Sequence, residues 1–149
     1  MDTAQQDVIE LAEYAAGRLT DRMVGLDDDE WAWQPIPGDP DVTIRWRLDH
    51  IVETVADDRN REWLGLDPAP TGAPGPAASS ASALAALDDA IAAFLGAARA
   101  LGDAAADPMG AVAGPYGDAT RRSFVLHVVD ELIHHAAEAA ILRDLYAAR

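Results

Sequence analysis

All nine prolines of this 149-residue chain fall in three stretches, at positions 35–40, 68–76 and 108–115. Proline lacks the N–H that a helix interior needs, and its ring clashes with the preceding turn, so uninterrupted helices are confined to the four segments between and outside those stretches. Each segment shows apolar residues at helical spacing, and none shows the alternating period of a half-buried strand. The fold class expected is all-α: a four-helix bundle with long connecting loops.

The first helix is expected from about Ala4 to Met23, with Asp2 or Thr3 as cap and Val8, Leu11, Ala15 and Leu19 on one face. Asp27 to Pro40 reads as a loop that opens with one capped turn at Asp27 and is pinned to the bundle by Trp31 and Trp33. The second helix is expected to start at the cap Thr43 and run to about Leu64, with Ile44, Leu48, Ile51, Val52 and Val55 as its apolar stripe. Asp67 to Ala78 (DPAPTGAPGPAA) reads as a flexible surface connector. An Ala-rich third helix follows from about Ser80 to Leu101, then a loop from Asp103 to Asp118, then a fourth helix capped by Thr120 and running from Arg121 to about Tyr146. Long connectors leave room for a non-sequential arrangement of helices within one domain spanning residues 1–149.

Composition removes several functions. With 11 Lys+Arg against 26 Asp+Glu, the formal charge is −15. That charge repels the phosphate backbone and anionic lipid headgroups, so neither nucleic acid nor a membrane is expected as partner. It also opposes self-association, although the Ala-rich helix faces could pack on a twofold axis in a homodimer. The absence of cysteine excludes disulfides, thiolate metal sites and a cysteine nucleophile together. The first ten residues are polar and acidic where a signal peptide is basic and then apolar, and no uninterrupted apolar run reaches the ~20 residues of a membrane span. A cytoplasmic protein is expected.

The histidines carry the chemistry. Three of the four lie in the run His127-Val-Val-Asp-Glu131-Leu-Ile-His134-His135, and the fourth, His50, lies near the start of the second helix. At about 100° per residue, His127, Glu131, His134, His135 and Glu138 fall within an arc of roughly 100° that also holds Phe124, Leu142 and Leu145. The expectation is that these ionisable groups share the core-facing stripe. Burying them beside Phe and Leu costs free energy unless they are paired or bind a cation. Glu131 and His135, four residues apart, project toward one point, and His50 is the one histidine available from another helix. Two imidazoles and a carboxylate suit Zn²⁺ best among divalent ions, with Ni²⁺, Fe²⁺ or Mn²⁺ as alternatives, and three protein ligands leave a position open. Each histidine taken singly also reads as an interior residue with a satisfied ring, and His127 and His134 read equally as groups that orient ligands or move a proton. Glu138 is expected to pair with an imidazole N–H or with Arg143.

At these residues the sequence resembles the DinB-like superfamily of metal-binding four-helix bundles. The resemblance lies in Trp31-Ala-Trp33-Gln34-Pro35, in Thr43-Ile44-Arg45-Trp46-Arg47-Leu48-Asp49-His50-Ile51, and in His127 to Glu138 with Leu142-Arg143-Asp144-Leu145-Tyr146 behind it. It implies a metal held by one histidine of the second helix and two ligands four residues apart on the last, here His50, Glu131 and His135. A carboxylate at Glu131, where many relatives have histidine, is similar to the pattern of mycothiol-dependent maleylpyruvate isomerases. It further implies an S-transferase or isomerase that presents a low-molecular-weight thiol, mycothiol or bacillithiol, to an electrophile. The metal would then replace the missing cysteine. Trp33, Trp46, Arg47 and Tyr116, with Trp31 and Arg121, are expected to shape the entrance for these partners, since indoles offer an apolar wall and arginine meets a carboxylate. Two other readings stand beside this one: a metal-dependent hydrolase with Glu138 as base, and a non-catalytic metal-stabilised or stress-response protein.

Overall fold

Every α-helix of the chain begins on a side-chain cap. In the computed structural model, which describes residues 2–69, 72 and 74–149, the helices are α1 (Thr3–Met23), α2 (Asp28–Trp31), α3 (Ile44–Val55), α4 (Asp58–Trp63), α5 (Ser80–Ala100) and α6 (Arg121–Ala147). Their caps are Asp2, Asp27, Thr43, Asp57, Ser79 and Thr120, each accepting a hydrogen bond from a backbone N–H of the first turn. Ser79 and Ser82 close a reciprocal capping box. Two 3-10 turns, Gly102–Ala106 and Ala111–Tyr116, interrupt the expected 103–118 loop, and no strand is formed among the described residues. Of the expected connector from Asp67 to Ala78, residues 70, 71 and 73 lie outside the described residues, and the rest carry no helix.

The expected second helix is two helices. The chain breaks at Ala56 and Asp57 because Asn60, itself buried, turns its amide back and donates Nδ2–H to the carbonyls of Thr54 (2.8 Å) and Val55 (3.1 Å). That satisfies the open C-terminal carbonyls of α3. Asp57 meanwhile caps α4 through Arg59 N–H.

The four long helices are arranged non-sequentially. α6 packs on α1 and α3, and α5 packs on the same two helices from the other side, which sets α1 diagonal to α3 and α5 diagonal to α6. Crossing a diagonal needs a long connection. The segments before α3 and before α6 supply it, and the arrangement lays α3 alongside α6. α5 is apolar enough by length and composition to cross a membrane, with a mean hydropathy of 1.5 over 18 residues, yet 44% of that window is buried in the bundle, and Asp88 and Asp89 interrupt its apolar run.

Two expectations about helix faces are corrected. Leu11 on α1 is exposed, the core being met by Val8, Ile9, Ala12, Ala15, Ala16, Leu19 and Met23. On α6 the buried stripe is Phe124, Val125, Val128, Val129, Leu132, His135, Ala139 and Leu142. The ionisable arc lies along the edge of that stripe and not at its centre. Only His135 is buried, Glu131 and Glu138 are half-buried, and His127, His134 and Leu145 are exposed. α6 is apolar nearly all round, with Leu126, Ile133 and Ile141 also facing outward, so its pattern does not specify which face meets the core.

Arg143 fixes the far end of α6. Its guanidinium makes a two-pronged pair with both carboxylate oxygens of the buried Glu30, each at 2.8 Å, and its third nitrogen donates to the carbonyls of Arg22 and Val24 at 2.7 Å. Asp28 ties α2 to the start of α5 by accepting from Ser80 N–H and Oγ–H, both at 2.7 Å. Those hydrogen bonds hold its carboxyl below the usual range.

Candidate metal centre

The packing of α3 on α6 sets His50 against the middle of α6. The rings of His50 and His135 meet at right angles with centroids 4.6 Å apart. One donor atom from each of His50, Glu131 and His135 can be chosen so that all three lie within 4.8 Å of one another. His135 Nε2 is 3.4 Å from Glu131 Oε2. Two donors bound at about 2.0–2.1 Å to a tetrahedral ion sit roughly 3.4 Å apart, so this pair is already at ligating separation.

Each imidazole has a carboxylate three residues on, at its Nδ1. His135 Nδ1 lies 2.7 Å from Glu138 Oε2, a hydrogen bond that assigns the proton to Nδ1 and leaves Nε2 facing Glu131. His50 Nδ1 lies 3.7 Å from Glu53 Oε2, on an exposed side chain. Glu138 is also 3.1 Å from Arg47 Nε, near enough for an ion pair but off the line of a hydrogen bond, since that buried nitrogen has no hydrogen-bond partner. Burial alone would raise the Glu138 carboxyl, but the His135 hydrogen bond, then the charges of Arg47, His135 and His134, outweigh it and hold it below its ordinary range. Glu138 is thus an ionised acceptor at neutral pH. It pairs with an imidazole, one of the two expected partners; the other, Arg143, belongs to Glu30.

Two of the residues expected at an entrance are beside the donors. Trp46 stacks on His50 with centroids 4.6 Å apart and planes 14° from parallel, and Arg47 Cζ lies over the indole, 4.6 Å from its ring centroid. Trp46 also meets the His135 ring edge-on at 6.0 Å. The other four are elsewhere: Trp31 is buried with Arg45 Cζ 4.9 Å over its ring, and the Arg121 guanidinium lies against Gly65. Trp33 packs against Tyr146, eleven residues beyond His135 and so about 16 Å further along α6. Tyr116 packs against Trp63 near the start of α6. His134 is exposed, its ring 4.7 Å from that of His135 and its Nε2 3.3 Å from Glu138 Oε1. His127 stands two turns from His135 and lines a separate cavity with Trp63, Tyr116 and Phe124. The sequence anticipates the pairing of Glu138 with an imidazole, but not Arg47 beside Glu138 or Glu53 at His50. The repeated His-x-x-Glu spacing, His50 to Glu53 and His135 to Glu138, was the available signal.

A sizeable cavity lies away from these donors. It has a volume of 610 Å³ between α3, α4 and α5, is walled by Val55, Leu64, Phe94 and several alanines, and includes none of the three donors. The chemistry therefore sits at an open edge between two helices, where half-buried Glu131 and His50 remain reachable from solvent.

The model of the DinB superfamily matches residues 11–139. The chain belongs to the DinB superfamily. A crystal structure of a conserved protein from Enterococcus faecalis has the same fold, with a TM-score of 0.66 over 100% of this chain and 99% of that one, at 15% identity. No curated protein matches the chain. As a DinB-superfamily bundle it brings together, from its second and last long helices, a His/Glu/His group that can hold a metal ion.

Proposed function

We propose that this DinB-superfamily chain is a cytoplasmic metal-dependent S-transferase or isomerase that uses a low-molecular-weight thiol of mycothiol or bacillithiol type. The observation that carries the proposal is the convergence of His50, Glu131 and His135 within 4.8 Å at a solvent-reachable edge. The residues present fit a divalent cation: two nitrogens and a carboxylate oxygen are a Zn²⁺-type donor set, and one of the imidazoles already carries the Nδ1 hydrogen bond that orients a ligand. His50, Glu131 and His135 would hold the ion, with Zn²⁺ preferred. When bound, such an ion would lower the pKa of a thiol beside it and so supply a thiolate, which this chain, having no cysteine, cannot provide from a side chain of its own.

The chain's own residues supply orientation and proton handling. Glu138 fixes the His135 ring, and that hydrogen bond, with the charge of Arg47 behind it, keeps Glu138 ionised. Trp46 stacks on His50 and forms an apolar wall on one side of the site. His134, exposed beside the donors with its Nε2 3.3 Å from Glu138 Oε1, would take the proton a thiol loses. A hydrolytic reading is disfavoured because Glu138, the carboxylate that would act as base, is engaged by His135 and Arg47.

The test is metal content followed by activity. Protein purified without a metal-affinity tag and then reloaded should hold about one equivalent of metal and conjugate monochlorobimane to one member of a thiol panel. Less than about a tenth of an equivalent after reloading would overturn the site. Full metal occupancy with turnover of activated esters and no thiol dependence would replace transfer by hydrolysis.

A further inference from the structure

We infer that the cavity around His127 is a binding site for a small aromatic carboxylate, separate from the His50/Glu131/His135 group. The cavity has a volume of 370 Å³. That is at the lower end of small-molecule sites, which run from about 300 to 1,000 Å³.

Its walls are aromatic. Trp63 is 5.0 Å from Phe124 and 6.1 Å from Tyr116, centroid to centroid, with planes tilted by 53° and 42°, so the three rings frame a slot and are not stacked shut. Met109 and Ala119 complete the apolar lining. The polar groups at the slot include three that can donate: Arg59, His127 and the Ser123 hydroxyl. Among 26 acidic residues in a chain of charge −15, none lines this cavity, and its one fixed charge is the Arg59 guanidinium. That guanidinium lies 4.9 Å over the Trp63 ring and uses one nitrogen on Asp57 Oδ2 at 3.3 Å, leaving further N–H groups on a half-exposed side chain. His127 is exposed and makes no hydrogen bond or ion pair among the described residues.

Aromatic walls select a planar π-system, and a cation with two further donors selects an anion with in-plane oxygens. An aromatic carboxylate meets both requirements within the volume available. His127 and Glu131 are four residues apart on α6, so a ligand in the slot lies one turn from the donor group.

The test is a titration of the full chain with benzoate, followed by NMR of the histidine and tryptophan side chains, in chelator-treated and in metal-loaded protein. The inference expects saturable shifts of His127 and Trp63 in both samples. It also expects binding about tenfold tighter than for cyclohexanecarboxylate, which lacks the π-face, or benzamide, which lacks the charge. The double variant Arg59→Gln/His127→Gln, both positions being solvent-reachable, should keep the wild-type circular dichroism and lose that preference for benzoate over benzamide. Shifts confined to His50 and His135 and abolished by chelation would overturn the slot and show carboxylate binding at the metal instead. No saturation in either sample, or an unchanged preference in the double variant, would also overturn it. Binding that persists in chelated protein leaves the slot standing even if the metal site fails.

Discussion

Replacing Glu138 by alanine should weaken Zn²⁺ binding by about 10- to 100-fold without unfolding the chain. The reasoning runs through one hydrogen bond. Glu138 Oε2 accepts from His135 Nδ1 at 2.7 Å, which fixes both the ring plane and the tautomer, and this leaves Nε2 aimed at the Glu131 carboxylate 3.4 Å away. Without that acceptor the imidazole can rotate and can place its proton on either nitrogen, so part of the ligating population is lost. The loss corresponds to about 1.4–2.7 kcal/mol, at 1.36 kcal/mol per decade. Glutamine, which keeps an acceptor oxygen but drops the charge, should cost less than about tenfold. Glu138 is half-buried and holds no backbone group, so the far-ultraviolet circular dichroism should not change. Competition against a chromophoric chelator measures the affinity. If Glu138→Ala binds Zn²⁺ as tightly as the wild type while His135→Ala does not bind at all, the carboxylate does not orient the ligand and the reasoning fails.

Other outcomes follow from particular contacts. Arg143→Ala strands the buried Glu30 carboxylate and frees two carbonyls, and should cost about 3–5 kcal/mol in urea denaturation; a loss under about 1 kcal/mol would show the pair to be unimportant. Asp28 has a folded-state pKa lowered from 3.8 by its two bonds from Ser80, so its contribution to stability is present above that pH and lost as pH falls through the lowered value. Melting temperatures of wild type and Asp28→Asn should therefore differ at pH 6 and converge in strong acid; a constant difference would contradict this. His127→Gln should leave metal stoichiometry unchanged, since that ring lies outside the donor group. A lost equivalent of metal would put His127 among the ligands.

What could be read in the sequence was what depends on local chemistry. Thr43, Asp27 and Thr120 announce their helix starts because a cap needs only a short polar side chain at the right place, and the structure has each of them capping. Glu131 and His135 face one point because helical geometry alone makes it so. The break at Asp57 was hidden because Val52 and Val55 continue a helical stripe into it, whereas its cause is an amide side chain, Asn60, that reaches back to α3. The orientation of α6 was hidden for a different reason. Apolar residues surround that helix, so the face that meets α1 and α3 is decided by packing, and the ionisable arc turns out to border the core where the sequence suggested it lay inside. The positions of Trp33 and Tyr116 depend on how two long connectors return to the bundle. Neither spacing nor composition encodes that path.

The central claim is that His50, Glu131 and His135 act as one set of metal ligands. X-ray absorption at the zinc edge, on protein loaded with one equivalent of Zn²⁺, tests it most directly. The account predicts two imidazole nitrogens and carboxylate oxygen at about 2.0–2.2 Å, and one sulfur neighbour at about 2.3 Å when the accepted thiol is added. The same spectrum from His135→Ala should lose an imidazole or show no bound zinc. A shell made only of oxygens, unchanged in His50→Ala and His135→Ala, would contradict it.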